Sequence, residues 1–488
     1  MKLETIIANA GVLAVQGGLS REITLITDDS RKVVPGALFI AVKGFASDGH
    51  RFIAAAIAAG AAAIAYEDAT ALEGLDTKDV TLVRVENSRR AVAMMAANFY
   101  GHPSERLTLV GITGTNGKTT TVTLLYKLFT RLGYACGLLS TIANYVGAKR
   151  SETANTTADP ITINALLAEM VAAGCAYCFM EVSSIGVEQE RVSGLHFKAG
   201  IFSNLTHDHL DYHKTFAEYL RCKKLFFDSL TPDAAAIINI DDRNGRVMVQ
   251  NTAAKVITYS LRSMADHTAR VMEESFEGMM LRIDGRETWT RLIGRHNAYN
   301  LLAIYSTAVT LGSKPEEVLV ALSALESVEG RLDTLRGPRD MSVVIDYAHT
   351  PDAMENVLST LRDIAPEREL VCLFGCGGDR DKTKRPEMAA VAEKMADKVF
   401  VTSDNSRTER TADIMDDIRA GFTPKGLAKS IFIEDRKEAI RTAILTAPEH
   451  ATILLAGKGH ETYQIIGSEK RHFDEKEIVT ETFNQISL

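Results

Sequence analysis

Seven consecutive residues have the types and spacing of a phosphate-binding loop: Gly114-Thr115-Asn116-Gly117-Lys118-Thr119-Thr120. They follow the apolar run 107–112 and precede a helical pattern that Gly133 closes, which is the strand, turn and helix order such a loop needs. Glycines let backbone N–H groups curl around phosphate oxygens, Lys118 neutralises the terminal phosphates, and a threonine hydroxyl can hold Mg²⁺. Ile112 stands where the usual spacing has glycine, so we predict a variant loop that binds a nucleoside triphosphate.

Further chemistry-bearing residues follow apolar runs downstream of this loop. Glu181 ends one such run, where a nucleotide-hydrolysing sheet commonly places an acid to hold Mg²⁺, although a lone glutamate there can also be a turn residue. The loop 204–213 follows the next run and is dense in imidazole and carboxylate groups, which are seldom structural in a loop. Lys223 lies on the following helical pattern and, by that pattern alone, belongs to a solvated helix face.

Charged and glycine-rich loops also follow four predicted strands in the last third of the chain. Ligands of parallel sheets collect at the carboxyl ends of the strands, so we expect these loops to converge along one rim. Each loop alone could be a turn, whereas four together favour a binding site. The four loops are 346–349, 375–381, 404–407 and 457–461.

Strand and helix patterns alternate along most of the chain, which predicts α/β structure with parallel sheets. A chain of 488 residues is too long for one core. A linker-like segment at 101–106 and a second junction at 328–341 divide the patterns into three groups. We predict a small N-terminal α/β domain (1–104), a central P-loop ATPase domain with a parallel sheet (105–332), and a Rossmann-like, doubly wound C-terminal domain (333–488).

The bulk composition bears on partners and location. The net charge of −8 and the lack of a long basic run give no electrostatic reason to expect nucleic acid or an anionic membrane. No run reaches transmembrane length and residues 1–5 lack a signal-peptide core, so a cytoplasmic protein is expected. Six cysteines in so long a chain do not make a disulfide framework. The close pairs Cys175/Cys178 and Cys372/Cys376 lack flanking histidines, which favours buried thiols over a zinc or redox site.

Taken together, these residues resemble the Mur ligases of peptidoglycan synthesis, a family of ATP-dependent, amide-forming enzymes with three domains. The resemblance covers nearly the whole chain and is closest to the members that add the third amino acid to UDP-N-acetylmuramoyl-L-alanyl-D-glutamate. Besides the phosphate loop, its most specific marks are Asn155-Thr156-Thr157, Glu181-Val182-Ser183-Ser184, Asp208-His209-Leu210-Asp211, His296-Asn297-x-x-Asn300, Gly330-Arg331, Asp346-Tyr347-Ala348-His349-Thr350-Pro351 and Gly457-Lys458-Gly459-His460-Glu461.

The resemblance implies that the central domain binds ATP and Mg²⁺. Gly114–Thr120 would hold the phosphates, with Asn297 near the adenine and Arg331 near the phosphates. Lys223, four residues after Tyr219, matches the lysine that this family carbamylates, and the added carboxylate becomes an oxygen ligand for Mg²⁺. The implied metal ligands are Thr119, Glu181, His209 and carbamylated Lys223, and the implied catalytic residues are Lys118, Glu181, His209 and Lys223.

The same resemblance assigns the other two substrates. The N-terminal domain would bind the UDP-linked substrate, and the C-terminal domain the incoming amino acid. The implied contacts to the UDP-sugar peptide are Ser30, Asn155, Thr156, Thr157, Ser183, Gln189 and Arg191. Those to the amino acid are Arg380, Asp404, Asn405, Ser406, Arg407, Gly457 and Glu461.

Two positions depart from the pattern of the family. Ile185 stands where the family usually has histidine after the paired serines. Asp404-Asn405-Ser406-Arg407 stands where diaminopimelate-adding members have proline in third place, and without proline the loop geometry is less preset. Arg407 is retained, and an arginine fork suits the distal carboxylate of meso-diaminopimelate, which lysine lacks. The resemblance therefore favours diaminopimelate over L-lysine.

The activity implied is amide synthesis through an acyl phosphate, by a monomer. The lysine-adding form of the same ligase is the first alternative. A folylpolyglutamate synthetase shares the central architecture but leaves the first domain and 155–157 unexplained. A nucleotide-dependent switch or motor would leave the loops of Arg380, Arg407 and Glu461 without a purpose.

Overall fold

The structure is a computed structural model that describes residues 1–44, 47–153, 155–206 and 210–486, excepting the side chains of 210 and 211. Three main sheets follow one another along the chain, and each carries helices. This confirms the predicted three-part α/β architecture, while the domain boundaries after residues 104 and 332 stay a prediction. No helix within the described ranges has both the length and the apolar composition needed to cross a membrane.

The first sheet has five strands and belongs to the N-terminal part of the chain. Its strands are β1 (Val12–Gln16), β2 (Leu25–Thr27), β3 (Ala37–Ile40), β4 (Ala63–Tyr66) and β5 (Thr81–Val85), and its helices are α1 (Leu3–Ile6), α2 (Ile53–Ala58) and α3 (Ser88–Phe99). The strand order is β1-β5-β4-β3-β2. All pairs are parallel except β1 with β5, so β1 is an antiparallel edge strand that the alternation of strands and helices did not predict.

The second sheet is the largest and begins with the strand before the phosphate loop. Its strands are β6 (Thr108–Thr113), β7 (Cys136–Leu139), β8 (Asn144–Val146), β9 (Lys149–Ser151), β10 (Tyr177–Glu181), β11 (Ala199–Phe202), β12 (Ala235–Asn239), β13 (Lys255–Ser260), β14 (His267–Ser275), β15 (Gly278–Ile283) and β16 (Arg286–Thr290). Its helices are α4 (Lys118–Arg131), α5 (Pro160–Ala172), α6 (Ser184–Glu188), α7 (Leu210–His213), α8 (Phe216–Asp228), α9 (Gly245–Met248), α10 (Arg295–Thr310) and α11 (Pro315–Ser323).

The phosphate loop follows β6, the strand on both sides of which the later strands of this sheet are added. The order is β16-β15-β14-β13-β12-β11-β6-β10-β7-β8-β9, so β6 lies between β10 on one side and β11 on the other. All three are parallel. Such a switch point opens a crevice at the carboxyl ends of the strands, which is where ligands bind in open α/β sheets.

The apolar face of α4 fixes the helix behind the phosphate loop. Val122, Leu125 and Phe129 are fully buried in one core cluster with Ile112 of β6 and Phe179 of β10. Burying side chains of this size stabilises a fold by about 1.5–3 kcal/mol each. The loop therefore starts from a strand and ends on a helix that are both rigidly packed.

The third sheet brings the four chemically dense loops side by side. Its strands are β17 (Asp333–Arg336), β18 (Ser342–Asp346), β19 (Leu370–Phe374), β20 (Lys398–Val401), β21 (Ser430–Phe432) and β22 (Thr452–Ala456), followed by a separate hairpin of β23 (Tyr463–Ile466) and β24 (Glu469–His472). The helices are α12 (Pro351–Ile364), α13 (Lys384–Met395), α14 (Thr411–Arg419), α15 (Pro424–Ala428), α16 (Arg436–Thr446) and α17 (Glu475–Ile486).

The strand order of the third sheet is β17-β18-β22-β19-β20-β21. The strands β18, β22, β19 and β20 are neighbours and parallel. Because each of the four loops follows one of these strands, all four leave the same edge, which confirms the predicted rim. The six cysteines, all described, are free and buried, which confirms the expectation of buried thiols.

Candidate active site

The two glycines of the phosphate loop are required by their surroundings. Gly114 has φ 154°, and a Cβ there would collide with the hydroxyl of Ser203. Gly117 has φ 86°, and a Cβ there would lie 2.5 Å from Oδ1 of Asn300. A side chain at either place would need both a strained backbone and space that is already filled. Gly111 lies inside β6 and the loop begins after that strand, which fits the variant loop that the sequence predicts.

Lys118 and Lys223 reach the same point of the loop from two helices. The ammonium of Lys118 donates to the carbonyl oxygens of Gly114 (2.9 Å) and Thr115 (2.8 Å). The Lys223 Nζ donates to Gly114 O at 2.7 Å and lies 4.7 Å from the centre of the Tyr219 ring. Lys223 is only 1% exposed, so the prediction from the helical pattern that it lies on a solvated face is wrong. The buried nitrogen lies at the phosphate loop.

Replacing Gly117 by alanine is expected to raise the KM for ATP about tenfold or more while the protein still folds, because the new methyl group displaces Asn300 and distorts the loop. Gly133→Ala is the matched control, since its φ is 93° but nothing lies within 4 Å of the added Cβ. Both variants carry the left-handed backbone cost of about 1–2 kcal/mol, so both melting temperatures fall. Equal KM values for ATP in the two variants would contradict a phosphate-binding role for this loop.

A cavity of about 370 Å³, the central cavity, opens beside the phosphate loop. Its wall includes Asn116, Gly117, Thr120, Asn297 and Arg331, so the structure brings together residues that the sequence assigns to ATP. Thr119 is buried on the first turn of α4 and is not part of this wall. The cavity joins the central sheet to the C-terminal rim, because residues of both form its wall.

The polar groups of the central cavity are arranged to meet an aromatic base and phosphates. Asn297 is held by the carbonyl of Ile293, to which its Nδ2 donates at 2.8 Å. The guanidinium of Arg331 lies 4.6 Å from the centre of the Tyr347 ring, which fixes its plane. Burial lowers the pKa of His296 to about 4, so this imidazole is neutral at pH 7. A neutral ring suits an uncharged base, and the three arginines of the wall, Arg262, Arg295 and Arg331, suit an anionic tail.

Sequence reasoning missed several residues of this wall, among them Asp241 and Tyr299. Asp241 accepts from the Tyr299 hydroxyl at 2.9 Å and from the Ser260 hydroxyl at 2.7 Å, and both Asp241 and Tyr299 line the central cavity. Asp241 comes shortly after β12, so the rule that ligands collect at strand ends could have found it. Tyr299 gave no such signal, because it lies within the helix α10.

Glu181 has a carboxylate oxygen that fits a cation. The residue ends β10 and is fully buried. Its Oε1 accepts the backbone N–H of Thr141 at 2.8 Å, whereas the buried Oε2 accepts no hydrogen bond from the described residues. A buried, unsatisfied acceptor is costly and is expected to have a partner such as a metal ion or a water. The predicted ligand His209 lies outside the described residues, so Thr119, Glu181 and Lys223 are the members of the set that can be placed at or near the loop.

The residues assigned to the UDP-sugar peptide form a network with Glu181. The Thr157 hydroxyl donates to the Glu181 carbonyl at 2.9 Å and accepts the Ser183 N–H at 3.0 Å. Arg191 donates to the Thr157 carbonyl at 2.6 Å, and its Nε donates to Oε1 of Gln189 at 3.1 Å. The Thr156 hydroxyl accepts from Thr141 Oγ1 at 3.1 Å. A substrate that touches this network therefore lies close to the proposed cation site.

A second cavity of about 320 Å³, the N-terminal cavity, lies between the first and second sheets. Asn155, Gln189 and Arg191 line it together with Arg89 of the first domain. Arg89 also pairs with Glu188 at 3.5 Å and so ties the two domains together at this point. Ser30, at the start of a short 3-10 helix, is not part of the wall.

A third cavity of about 560 Å³, the C-terminal cavity, contains the predicted amino-acid site. Its wall includes side chains from the central domain, such as Ile185 and Tyr212, and shares Tyr347, His349 and Asp352 with the central cavity. The predicted residues in the wall are Arg380, Asp404, Asn405, Arg407, Gly457 and Glu461.

Ser406 has a structural place instead of a place in the wall. It is 2% exposed, and its carbonyl accepts the backbone N–H of Glu409 at 3.1 Å. Arg407, the next residue, has φ 50° and is held on both sides by the hairpin β23–β24: its N–H donates to Ile465 O (3.2 Å), and its carbonyl accepts from the N–H of Gly467 (2.8 Å). These contacts fix the loop without the proline that the family usually has there.

A phosphate-loop sheet between two other α/β sheets, with a cavity beside the loop, is an arrangement typical of nucleotide-dependent α/β enzymes. Three family models match the chain: Mur ligase family, catalytic domain, over residues 22–100; Mur ligase middle domain over 112–308; and Mur ligase, glutamate ligase domain, over 330–459. The chain belongs to the Mur ligase family, and it is a ligase.

Relatives with curated functions extend over the full chain. A UDP-N-acetylmuramoyl-L-alanyl-D-glutamate--2,6-diaminopimelate ligase of Phocaeicola vulgatus is 50% identical over 484 residues, which is 99% of each chain. The protein of the same name from Cytophaga hutchinsonii is 48% identical over 486 residues and 100% of each chain. A solved structure of a ligase of this name has 29% identity and a TM-score of 0.71, and the match covers 100% of this chain and 99% of that one.

Proposed function

We propose that this chain uses ATP to join meso-diaminopimelate to UDP-N-acetylmuramoyl-L-alanyl-D-glutamate. The observation that carries the proposal is the mixed charge of the C-terminal cavity, where Arg380 and Arg407 share the wall with Asp404 and Glu461. The distal centre of diaminopimelate carries one carboxylate and one ammonium, and such a centre needs both signs of charge in its pocket. The names of the relatives at 50% and 48% identity support the same substrates.

The first chemical step activates the D-glutamate side-chain carboxylate. One of its oxygens attacks the γ-phosphorus of ATP, the bond from that phosphorus to the bridging oxygen breaks, and ADP leaves with the electron pair. Two anions must approach each other, so positive groups at the loop carry most of the catalysis by electrostatic stabilisation. Lys118 is suited to this role, because its ammonium already lies over the loop carbonyls of Gly114 and Thr115.

The residues near the loop fit a divalent cation, for which Thr119, Glu181, His209 and carbamylated Lys223 would be the ligands. The bound ion would supply positive charge to the phosphates. The unsatisfied Oε2 of Glu181 supports this assignment. The buried Lys223 nitrogen now donates to Gly114 O. Carbamylation would add a carboxylate to this nitrogen, and the carboxylate would supply an oxygen ligand at the same loop.

The second step forms the amide. The neutral amine of the amino acid attacks the acyl carbon, the bond to the phosphate oxygen breaks, inorganic phosphate leaves, and the amine loses a proton. The C-terminal cavity meets the central cavity at Tyr347, His349 and Asp352, which supports delivery of an amine towards the phosphate loop. The N-terminal cavity, lined by Gln189 and Arg191, would hold the UDP-linked substrate.

The release of ADP tests this proposal. We expect release only when ATP, the UDP-linked dipeptide substrate and the diamino acid are all present. The acyl phosphate forms only on the UDP-linked substrate, and the amine of the diamino acid must consume it before the next turnover. ATP hydrolysis that is equally fast without either substrate would favour a nucleotide-dependent switch or motor. Turnover with a folate and glutamate would favour a folylpolyglutamate synthetase.

Competition between meso-diaminopimelate and L-lysine separates the proposal from its first alternative. We expect diaminopimelate to be incorporated in large excess when both are present at equal concentration, because only it places a carboxylate against Arg407. A product that contains mainly lysine would assign the chain to the lysine-adding form. The monomeric state and the cytoplasmic location stay predictions of the sequence.

A further inference from the structure

A lysine without a role in the proposed mechanism is fully buried beside the C-terminal cavity. Lys458 lies in the loop after β22 and has 0% exposure. Gly457 and Gly459 flank it with φ 115° and 53°, so the backbone bends sharply on both sides. Burying an ammonium group is costly unless acceptors surround it. Its partners therefore indicate why the chain keeps a charge there.

The ammonium of Lys458 joins two loops of the rim. Its Nζ lies 3.2 Å from Oδ1 of Asn405, 3.4 Å from Oδ1 of Asp404 and 3.2 Å from Oε2 of Glu461. Asp404 and Asn405 follow β20, whereas Lys458 and Glu461 follow β22. One buried cation thus cross-links three residues of the predicted amino-acid site.

The cross-link holds one oxygen of each carboxylate and leaves the other to the cavity. Asp404 Oδ1 also accepts the N–H of Asn405 at 2.7 Å, and Glu461 Oε2 also accepts Nδ2 of Asn405 at 2.8 Å. Asp404 Oδ2 and Glu461 Oε1 accept no hydrogen bond from the part of the chain that the structure describes, and both residues line the cavity. Gly457 keeps the space beside Asp404 Oδ2 open, because a Cβ there would lie 3.0 Å from that oxygen.

The charges of this group match a single ammonium ligand. Burial alone would raise the pKa of Asp404, but the charges of Lys458 and Arg436 hold it below its ordinary value, so the carboxylate is ionised. The carboxylates of Asp404 and Glu461 together with the ammonium of Lys458 leave one net negative charge. A ligand with one ammonium group would complete the balance, while Arg407 meets a carboxylate.

We propose that Lys458 is a positioning and specificity-determining residue for the incoming amino acid. It orients the free oxygens of Asp404 and Glu461 towards the distal ammonium of the diamino acid, and it cancels one of their two charges. The inference rests on the proposed function and deepens it, because it explains how a zwitterionic distal centre is preferred over the plain ammonium of lysine.

Lys458→Met tests this role, because it keeps the length of the side chain and removes its charge. We expect the KM for meso-diaminopimelate to rise about tenfold or more, with the KM for ATP and the UDP-linked substrate unchanged within about twofold. We also expect the ratio of kcat/KM for diaminopimelate to that for lysine to fall. Without the Lys458 charge the pocket has two uncancelled carboxylates, which favour the positively charged side chain of lysine over the zwitterionic distal centre of diaminopimelate. A merely structural residue would not change this ratio.

Two further variants keep the test decisive. Lys458→Gln retains hydrogen bonds but not the charge, and we expect the same change in the substrate ratio with a smaller loss in melting temperature. Lys429→Met is the matched control in the same domain, because that ammonium donates to the carbonyls of Glu393 (2.6 Å) and Ala396 (2.5 Å) at the opposite end of the sheet. Lys429→Met should leave the ratio and the KM values unchanged.

The outcomes separate this inference from the proposed function. If the unaltered chain does not use diaminopimelate, the proposed function is wrong and the inference falls with it. If the unaltered chain uses diaminopimelate and both Lys458 variants keep its KM and its substrate ratio, only the inference is wrong. If neither variant retains the KM for ATP, Lys458 acts on the fold as a whole, and the inference is again wrong.

Discussion

Lys223→Ala is expected to lower kcat by about a hundredfold to a thousandfold, the effect of losing one group that stabilises transferred charge. The Lys223 nitrogen is buried and donates to Gly114 O at 2.7 Å, so its removal leaves a gap at the phosphate loop. If the lysine is carbamylated, the missing group is a carboxylate. A short carboxylic acid that enters the gap should then restore part of the activity.

The choice of rescuing molecule decides which charge the loop needs. Formate or acetate would restore turnover if the nitrogen is carbamylated, whereas a short alkylamine would do so if the ammonium itself is used. Lys224→Ala is the matched control on the same helix, since the Lys224 ammonium pairs with Asp228 of that helix at 2.7 Å. Full kcat in unrescued Lys223→Ala would contradict any catalytic role for this residue, and rescue by the amine alone would contradict the carbamate.

Short-range patterns predicted the parts of the site that single strands and turns create. The phosphate loop was visible because glycine, lysine and threonine occur at fixed offsets between a strand and a helix. The four loops of the C-terminal rim were visible because parallel strands end at the same edge, and the sheet order confirms that they are neighbours. Their convergence follows from topology and needs no knowledge of tertiary contacts.

Local patterns could not show which charges would be buried. Lys223 looks like a surface lysine in the sequence, and Lys458 is one residue of a predicted rim loop, yet they are 1% and 0% exposed. Each is buried because distant segments supply acceptors: Gly114 for Lys223, and Asp404 and Asn405 for Lys458. Contacts between residues so far apart in the chain leave no periodic signal, so the resemblance to a family was the only route to Lys223.

Antiparallel additions were also missed. The edge strand β1 is largely exposed and pairs only with β5, so it lacks the buried run by which the parallel strands were recognised. The hairpin β23–β24 matters more for function. It holds both sides of Arg407, and Gln464 donates to Ser403 Oγ (2.9 Å) and to Asp404 O (3.1 Å). The geometry of the C-terminal cavity therefore depends on an element that the sequence did not reveal.

Arg407→Ala is expected to raise the KM for meso-diaminopimelate about a hundredfold, because a charge-assisted, forked pair with a buried carboxylate is lost. The KM for ATP should stay nearly constant, since Arg407 lines the C-terminal cavity and not the central one. The free-energy cost of a backbone φ of 50° is the same for alanine as for arginine, so the loop should keep its conformation. The measurement is a pair of saturation curves, one for each substrate.

L-lysine provides a control within the same experiment. Lysine lacks the distal carboxylate, so the kcat/KM for lysine should change little when Arg407 is removed. The preference for diaminopimelate over lysine should then nearly disappear. Arg410→Ala is the matched variant, because Arg410 lies three residues further on and its side chain is 80% exposed. Equal increases in KM for diaminopimelate, lysine and ATP would show that Arg407 supports the fold of the loop, through its bond to Gly378 O at 2.8 Å, and does not read the ligand. A selective loss for diaminopimelate would instead place the distal carboxylate at Arg407, which is the contact that distinguishes the two amino acids.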